Sequence, residues 1–471
     1  MNHLRYIIFL YIIFMHTILI PFLIPSCSNS ISKPRINNTS NVETTENQDS
    51  GNLNFTSIND VEFLNSGDFV IAGYIYGSGN INPFGRDIIN RGKEATLTNY
   101  LLYCSNDLEI NWDLTWTSPD NAAGWDYPYV NHKDSNLYFV NNLASISLST
   151  DQLHDHDSDL NEDNPANLRI IDKDGKINYE KGFGSCSICT PIDVEFLWDN
   201  ILFAYFCPNA FESESCNYSE LICFGSDMQT LWSRKLEGAR YKSITSNTSM
   251  IYCLAVSPGK LAGSDDKLIL DDDNASTSSV NSIIVYDTNG NLSQITGISY
   301  SDNIYYSKIA AIDDESILIN AELTSPTGEN NVIGMETTIS SSMLINLSLD
   351  YQVIWKLDLR GKDDVSIDDF GFGPDNSIYF CGLYKNGIFN NNDVLIAAGD
   401  EQPQGSVITE SQGYLAKVSV EGKIAWVVDL AEFGHGHASA IDINNSLVIV
   451  GGVVEGKTFV KTFDLNGEIL Q

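Results

Sequence analysis

One short pattern recurs seven times along this chain of 471 residues, and it limits what the chain can fold into. A β-rich run enters a small polar turn and leaves as a second run that often reaches Trp. The copies are Asn106 to Trp112, Lys173 to Tyr179, Ser226 to Trp232, Thr288 to Gln294, Leu349 to Trp355, Val420 to Trp426 and Leu465 to Gln471. Asp-Gly, Asn-Gly and Glu-Gly pairs in several of these turns supply the positive φ that tight hairpins need. Upstream of each copy lies another β-rich run around a small turn: 61–73, 130–140, 194–205, 249–256, 309–320, 370–382 and 440–452. Each unit therefore reads as about four strands.

Seven four-stranded units predict an all-β fold, a β-propeller of about seven blades in which each blade buries its faces against its neighbours. The hairpins end at 112, 179, 232, 294, 355, 426 and 471, an uneven spacing that places insertions in loops. No helical period of any length follows the N-terminus, which disfavours an α/β fold, and a pair of β-sandwiches gives no reason for seven matching units. Because the chain starts and ends on a whole unit, ring closure is expected to rest on the first blade packing on the last.

The N-terminus reads as an address. Tyr6 to Ile24 is almost wholly apolar after a short segment carrying Arg5, and it leads into Leu23-Ile24-Pro25-Ser26-Cys27. That is a secretory signal ending in a sequence that resembles a bacterial lipobox, with Cys27 the lipidated residue. The alternative is an uncleaved span, since roughly 19 apolar residues suffice to cross a bilayer. Residues 27–52 are rich in Ser, Asn, Thr, Glu and Gln and read as a flexible stalk. The expected organisation is a lipoprotein signal at 1–26, the stalk at 27–52 and the propeller at 53–471. The expected place is the cell envelope, on the outer membrane or cell surface, with the lipid as membrane anchor.

With 62 acidic against 26 basic residues, a net charge of -36, most of this surface repels phosphate backbones, so nucleic acid is not an expected partner. Beyond Cys27, eight cysteines fit an oxidising compartment. Cys207 and Cys216 flank a short loop that a disulfide would close, and Cys186 and Cys189 read as a local disulfide or as two buried thiols. In Asp151 to Asp163, the carboxylates of Asp155, Asp157, Asp159 and Glu162 are hard donors of the kind Ca²⁺ takes. That segment lacks the glycine and distal glutamate of an EF-hand, and a solvated acidic insertion is the favoured reading; no other cofactor is expected. His435 and His437 lack a third ligand and read as a plain loop.

Residues 380–430, with Cys381-Gly382-Leu383, Gly387-Ile388-Phe389, Gly413 to Val418 and Gly422 to Trp426, resemble the repeat of seven-bladed β-propeller proteins of bacterial envelopes. Residues 71–116 give a second copy through Ala72-Gly73-Tyr74 and Tyr100 to Trp116. The chain is also similar to the quinoprotein-type propeller of outer-membrane assembly lipoproteins, without their regular Trp-docking motifs. Ser105, Ser348 and Ser419 precede Trp112, Trp355 and Trp426 much as in a sialidase Asp-box, which we read as hairpin geometry. These resemblances imply a rigid scaffold at the envelope that binds protein or glycan through the insertions at 76–98, 143–166, 257–281, 322–341 and 386–412. The alternative is a polysaccharide hydrolase or lyase with carboxylates converging on the axis. No GxSxG, HExxH or P-loop is present, so an enzyme is the less favoured reading.

Overall fold

The computed structural model describes residues 55–470 apart from 77–79, 82–87, 90–96, 118–127, 142–145, 148–165, 185–188, 209–216, 259–260, 265–266, 271–279, 300–303, 313, 324–340, 362–363, 391–392 and 397–410. Cys27, the signal and the stalk lie outside them, as do Asp155, Asp157, Asp159, Glu162, Cys186 and Cys216. Among the described residues no helix is long and apolar enough to cross a membrane.

The chain is a seven-bladed β-propeller. Blade 1 runs Phe55–Phe63, Phe69–Tyr76, Leu97–Cys104 and Ile110–Thr117, each strand antiparallel to the next. Blade 2 starts at Tyr129–Lys133, blade 3 at Thr190–Leu197, blade 4 at Arg240–Ser246, blade 5 at Ile304–Ile312, blade 6 at Asp364–Phe372 and blade 7 at Gly436–Ile443. Blades 2 to 6 repeat the four-strand meander; blade 7 has Gly436–Ile443, Leu447–Val454 and Lys457–Asp464, with a bridge from Phe463 to Ile469 where a fourth strand begins. Ring closure rests, as expected, on packing of the first blade on the last. Ile58, Val61 and Ile71 share a core with Ala440, Ile449 and Val460, and the Ser439 hydroxyl donates to the Ile58 carbonyl at 2.6 Å. Fully burying one such aliphatic side chain contributes about 1.5–3 kcal/mol.

All seven predicted hairpins join third to fourth strands. Gly175, Gly290, Gly422 and Gly467 take the positive φ in blades 2, 4, 6 and 7, but Leu108, Met228 and Tyr351 take it in blades 1, 3 and 5. This alternation belongs to a two-blade period. Trp112, Trp232 and Trp355, on the outer strands of blades 1, 3 and 5, each donate Nε1–H to the turn of the next blade: Lys173 O at 2.9 Å, Thr288 O at 3.2 Å and Val420 O at 2.8 Å. Each indole lies on the glycine of that turn, where no Cβ would fit comfortably, and Trp426 lies likewise on Gly467. Tryptophan docking is thus present at blades 1, 3, 5 and 6, though not in every blade, and the sequence reading did not identify it. The spacing hid it because the indole and its glycine sit on different blades.

The same period governs the outer edges. Strand Ile146–Ser147 from blade 2 extends blade 1, the hairpin Leu261–Ser264 and Lys267–Leu270 from blade 4 extends blade 3, and Ile388–Asn390 with Asp393–Ile396 from blade 6 extends blade 5. Edge strands left open are aggregation-prone, and these additions cover three of them.

The disulfide joins Cys189 to Cys207, not Cys207 to Cys216. Thr190 pairs with Phe206 in blade 3, so the ladder sets Cys189 directly opposite Cys207. Register, rather than distance along the chain, chose the partner. Cys223, Cys253 and Cys381 are buried free thiols.

Candidate functional site

The first strand of each blade is the inner edge of its sheet, so seven such strands surround the axis. In six of them the ladder is interrupted by a β-bulge at the same place, at Asn59, Ile192, Lys242, Ser307, Asp368 and Ser439. A bulge bends the strand and turns side chains it would otherwise bury. The residues around it carry most of the channel's chemistry.

Just past the bulge, Asp60, Asp193 and Asp369 hold the ring together. Each accepts a backbone N–H from the inner strand of the next blade: Val130 at 2.8 Å, Ile244 at 3.1 Å and Ile441 at 3.0 Å. Two residues further on, Thr245 accepts the Ala311 N–H at 3.1 Å and Asp442 the Phe63 N–H at 2.6 Å. Lys308 of blade 5 pairs with the Asp369 carboxylate and donates to the Phe370 carbonyl at 3.2 Å.

Carboxylates outnumber cations here, and burial together with their mutual repulsion pushes their pKa values up. Burial, then Asp369 and Glu62, push Asp60 well up. Burial and Glu195 push Glu62 up to about 8; burial raises Glu195 to about 7 and Asp193 to about 6; burial and Glu62 raise Asp442. Burial alone would lower Lys308, but Asp369, Asp60 and Asp193 hold it above the ordinary lysine range. These groups come from blades 1, 3, 5, 6 and 7 and act on one another, which marks a shared axial channel. His132 Nδ1 lies 2.8 Å from Glu62 Oε1. Burial pushes the imidazole down while the carboxyl goes up. Opposed shifts of that kind make the contact a hydrogen bond between neutral partners rather than an ion pair.

Nearer the start of the inner strands the composition changes. Arg240 and Lys242 come from blade 4, Tyr305 from blade 5, and Glu322, directly opposite Tyr305 in its ladder, lies close to Asp364 and Asp368 of blade 6. Burial, with Asp364 acting on Glu322 and Glu322 on Asp368, raises both to about 7. His437, at the start of blade 7, is lowered by burial.

Sequence reading expected axial carboxylates only as an alternative and named none of these acids; it did name His437, as a loop residue, where the structure has it in the strand Gly436–Ile443. A signal was present: Asp-Val-Glu-Phe occurs twice, at Asp60 to Phe63 and Asp193 to Phe196, two blades apart. Of the residues that reading singled out, Cys189 and Cys207 are described and form the disulfide.

Strand order, blade packing and the axial ring define the class: an all-β propeller of seven blades with a polar, carboxylate-rich channel. No protein-family description matches the chain, and no curated protein matches it in sequence. Solved structures resemble it at low identity. The C-terminal WD40 domain of Sif2 is 9% identical with a TM-score of 0.40, covering 88% of this chain and 97% of that one. A prolyl endopeptidase is 12% identical with a TM-score of 0.39, covering 79% of this chain, which spans 46% of the enzyme's length. Drosophila plexin A in complex with semaphorin 1b gives 8%, a TM-score of 0.37 and 87% of each chain. Neither activity nor partner is taken from likenesses this distant.

Proposed function

We propose that this protein is a recognition propeller, held at a cell envelope by a lipid on Cys27, that takes a protein or glycan ligand on one end of its ring. The supporting observation is where the long connections fall. In blades 1 to 6 the second and third strands are joined by 77–96, 142–165, 208–217, 258–279, 324–340 and 386–411. Antiparallel order attaches all of these at the end of the ring where inner strands begin. The opposite end is closed by turns of at most five residues. Long connections concentrated on one end of a rigid scaffold are the usual carriers of recognition.

The test is a glycan array and immobilised envelope fractions probed with the full-length chain and with variants in which each long connection is shortened. Loss of binding on shortening, with the β circular-dichroism spectrum kept, supports the reading; equal binding by every variant rejects it. Mass spectrometry of the N-terminal peptide tests the anchor, which requires an acylated Cys27.

A second reading is favoured by the axial carboxylates: hydrolysis or elimination on a polysaccharide, with a protonated carboxyl as general acid. Release of reducing ends by wild type, and its loss in Glu62→Gln and Glu195→Gln, would support it. An inactive wild type on neutral and acidic polysaccharides rejects it.

A further inference from the structure

In a chain so rich in acid, a buried cation has every opportunity to find a carboxylate. Lys308, Arg169, Arg360 and Lys417 do, with Asp369, Glu180, Asp358 and Asp375. Arg240 and Lys242 do not. They stand two residues apart on the innermost strand of blade 4, Lys242 at the bulge, and close enough that the charge of Arg240 acts on Lys242. No carboxylate among the described residues forms an ion pair with either.

What surrounds them is aromatic. The Arg240 guanidinium lies 5.2 Å from the ring centre of Phe206, and its Nε is sealed from solvent without a hydrogen-bond partner. The Lys242 ammonium sits 4.3 Å from the ring centre of Tyr305 and donates to the Tyr305 hydroxyl. Burial, then the charge of Arg240, push Lys242 down to about 7. The charged groups acting on Tyr305 are Arg240 on one side and Glu322 on the other. Two like charges, half-buried side by side without a carboxylate partner among the described residues, repel each other and are expected where an anionic ligand completes the site. Both residues open the inner strands, at the end of the ring that bears the long connections.

We infer that Arg240 and Lys242 form an oxyanion site at that mouth of the channel, built to take a carboxylate or sulfate group carried on a saccharide whose ring stacks on Tyr305. This rests on the recognition reading and names its ligand class. Arg240 offers the planar fork that oxyanions fill, its unpartnered Nε included. Tyr305, 39% exposed, offers a sugar the part of its ring that Lys242 leaves uncovered. Glu322, across the ladder, is left to accept from ring hydroxyls.

The test titrates lysine-¹³C-labelled full-length protein with oligoglucuronate, dextran sulfate, neutral gluco-oligosaccharide, sodium sulfate and sodium phosphate. The Lys242 resonance is assigned by its loss in Lys242→Met. Expected are a rise of about one unit in the Lys242 pKa with either acidic saccharide, and binding that weakens about fivefold between pH 6 and 8. Arg240→Gln and Lys242→Met should each cost about tenfold or more in affinity, Lys423→Gln nothing. Lys242→Met should also raise the melting temperature of the ligand-free protein, a sign that a merely structural lysine would not give. Binding by Arg240→Gln equal to wild type, or sulfate or phosphate alone binding as tightly as the saccharides, overturns the inference. So does a Lys242 resonance that ignores every oxyanion while shortened connections still abolish capture of another ligand, and that result leaves the recognition reading standing.

Discussion

Asp60 Oδ2 accepts the Val130 backbone N–H at 2.8 Å, so a side chain of blade 1 serves as hydrogen-bond partner for the inner strand of blade 2. Asp193 and Asp369 do the same for blades 4 and 7. Asp60→Ala strands a buried donor and should cost about 1–3 kcal/mol by urea denaturation. Asp60→Asn keeps an acceptor and adds no charge, so it should cost much less, because burial already disfavours the ionised form. Equal losses would mean that the contact is not what joins these blades.

Stability should rise on mild acidification. Glu62, Glu195 and Asp193 have folded pKa values of about 8, 7 and 6, all above those of an unfolded chain. The folded protein therefore binds more protons than the unfolded one over this window, and stability is lost as pH climbs through those values. Lys242, lowered by burial, opposes this above about pH 7, and His132 and His437, lowered likewise, oppose it in part below their ordinary value of 6.5, but the raised carboxyls are more numerous. Turn aspartates held low, Asp287 by Asn291 and Asp464 by the Glu468 N–H, withdraw their support only in stronger acid. Melting temperature should climb from pH 7 to pH 5; a steady fall over that range contradicts the axial electrostatics.

Gly422 and Gly67 make a matched pair. Both have positive φ, 77° and 87°, but a Cβ on Gly422 would lie 2.6 Å from the Trp355 indole, whereas one on Gly67 meets nothing within 4 Å. Gly67→Ala should cost about 1 kcal/mol of backbone strain and Gly422→Ala about 2–3 kcal/mol. Calorimetry distinguishes them, and equal costs would remove the docking argument.

The seven-unit organisation was legible because hairpin turns repeat locally, with Gly175, Gly290, Gly422 and Gly467 at fixed offsets before apolar residues. What escaped were relations that cross blades. Trp355 meets Gly422 only after a whole blade intervenes, and Cys189 finds Cys207 through register. Arg240 and Lys242 look like ordinary strand cations until the fold shows that no carboxylate among the described residues pairs with them. The Asp-Val-Glu-Phe repeat was visible, but nothing in a strand pattern says that its acids face one axis.

Mapping by mass spectrometry should recover a Cys189–Cys207 peptide from non-reduced protein. Reduction, or Cys189→Ser, should cost about 3 kcal/mol for a loop of this length, read as a lower urea midpoint. A Cys207–Cys216 peptide would overturn the pairing.

The most direct test of recognition by one end of the ring is hydroxyl-radical footprinting of the full-length chain with and without native envelope material. The account predicts protection of Tyr305 and of the long connections. It predicts none at Trp198, Met228 or Leu349, which lie on the tight turns at the opposite end. Protection centred on those turns, or spread equally over both ends, contradicts it.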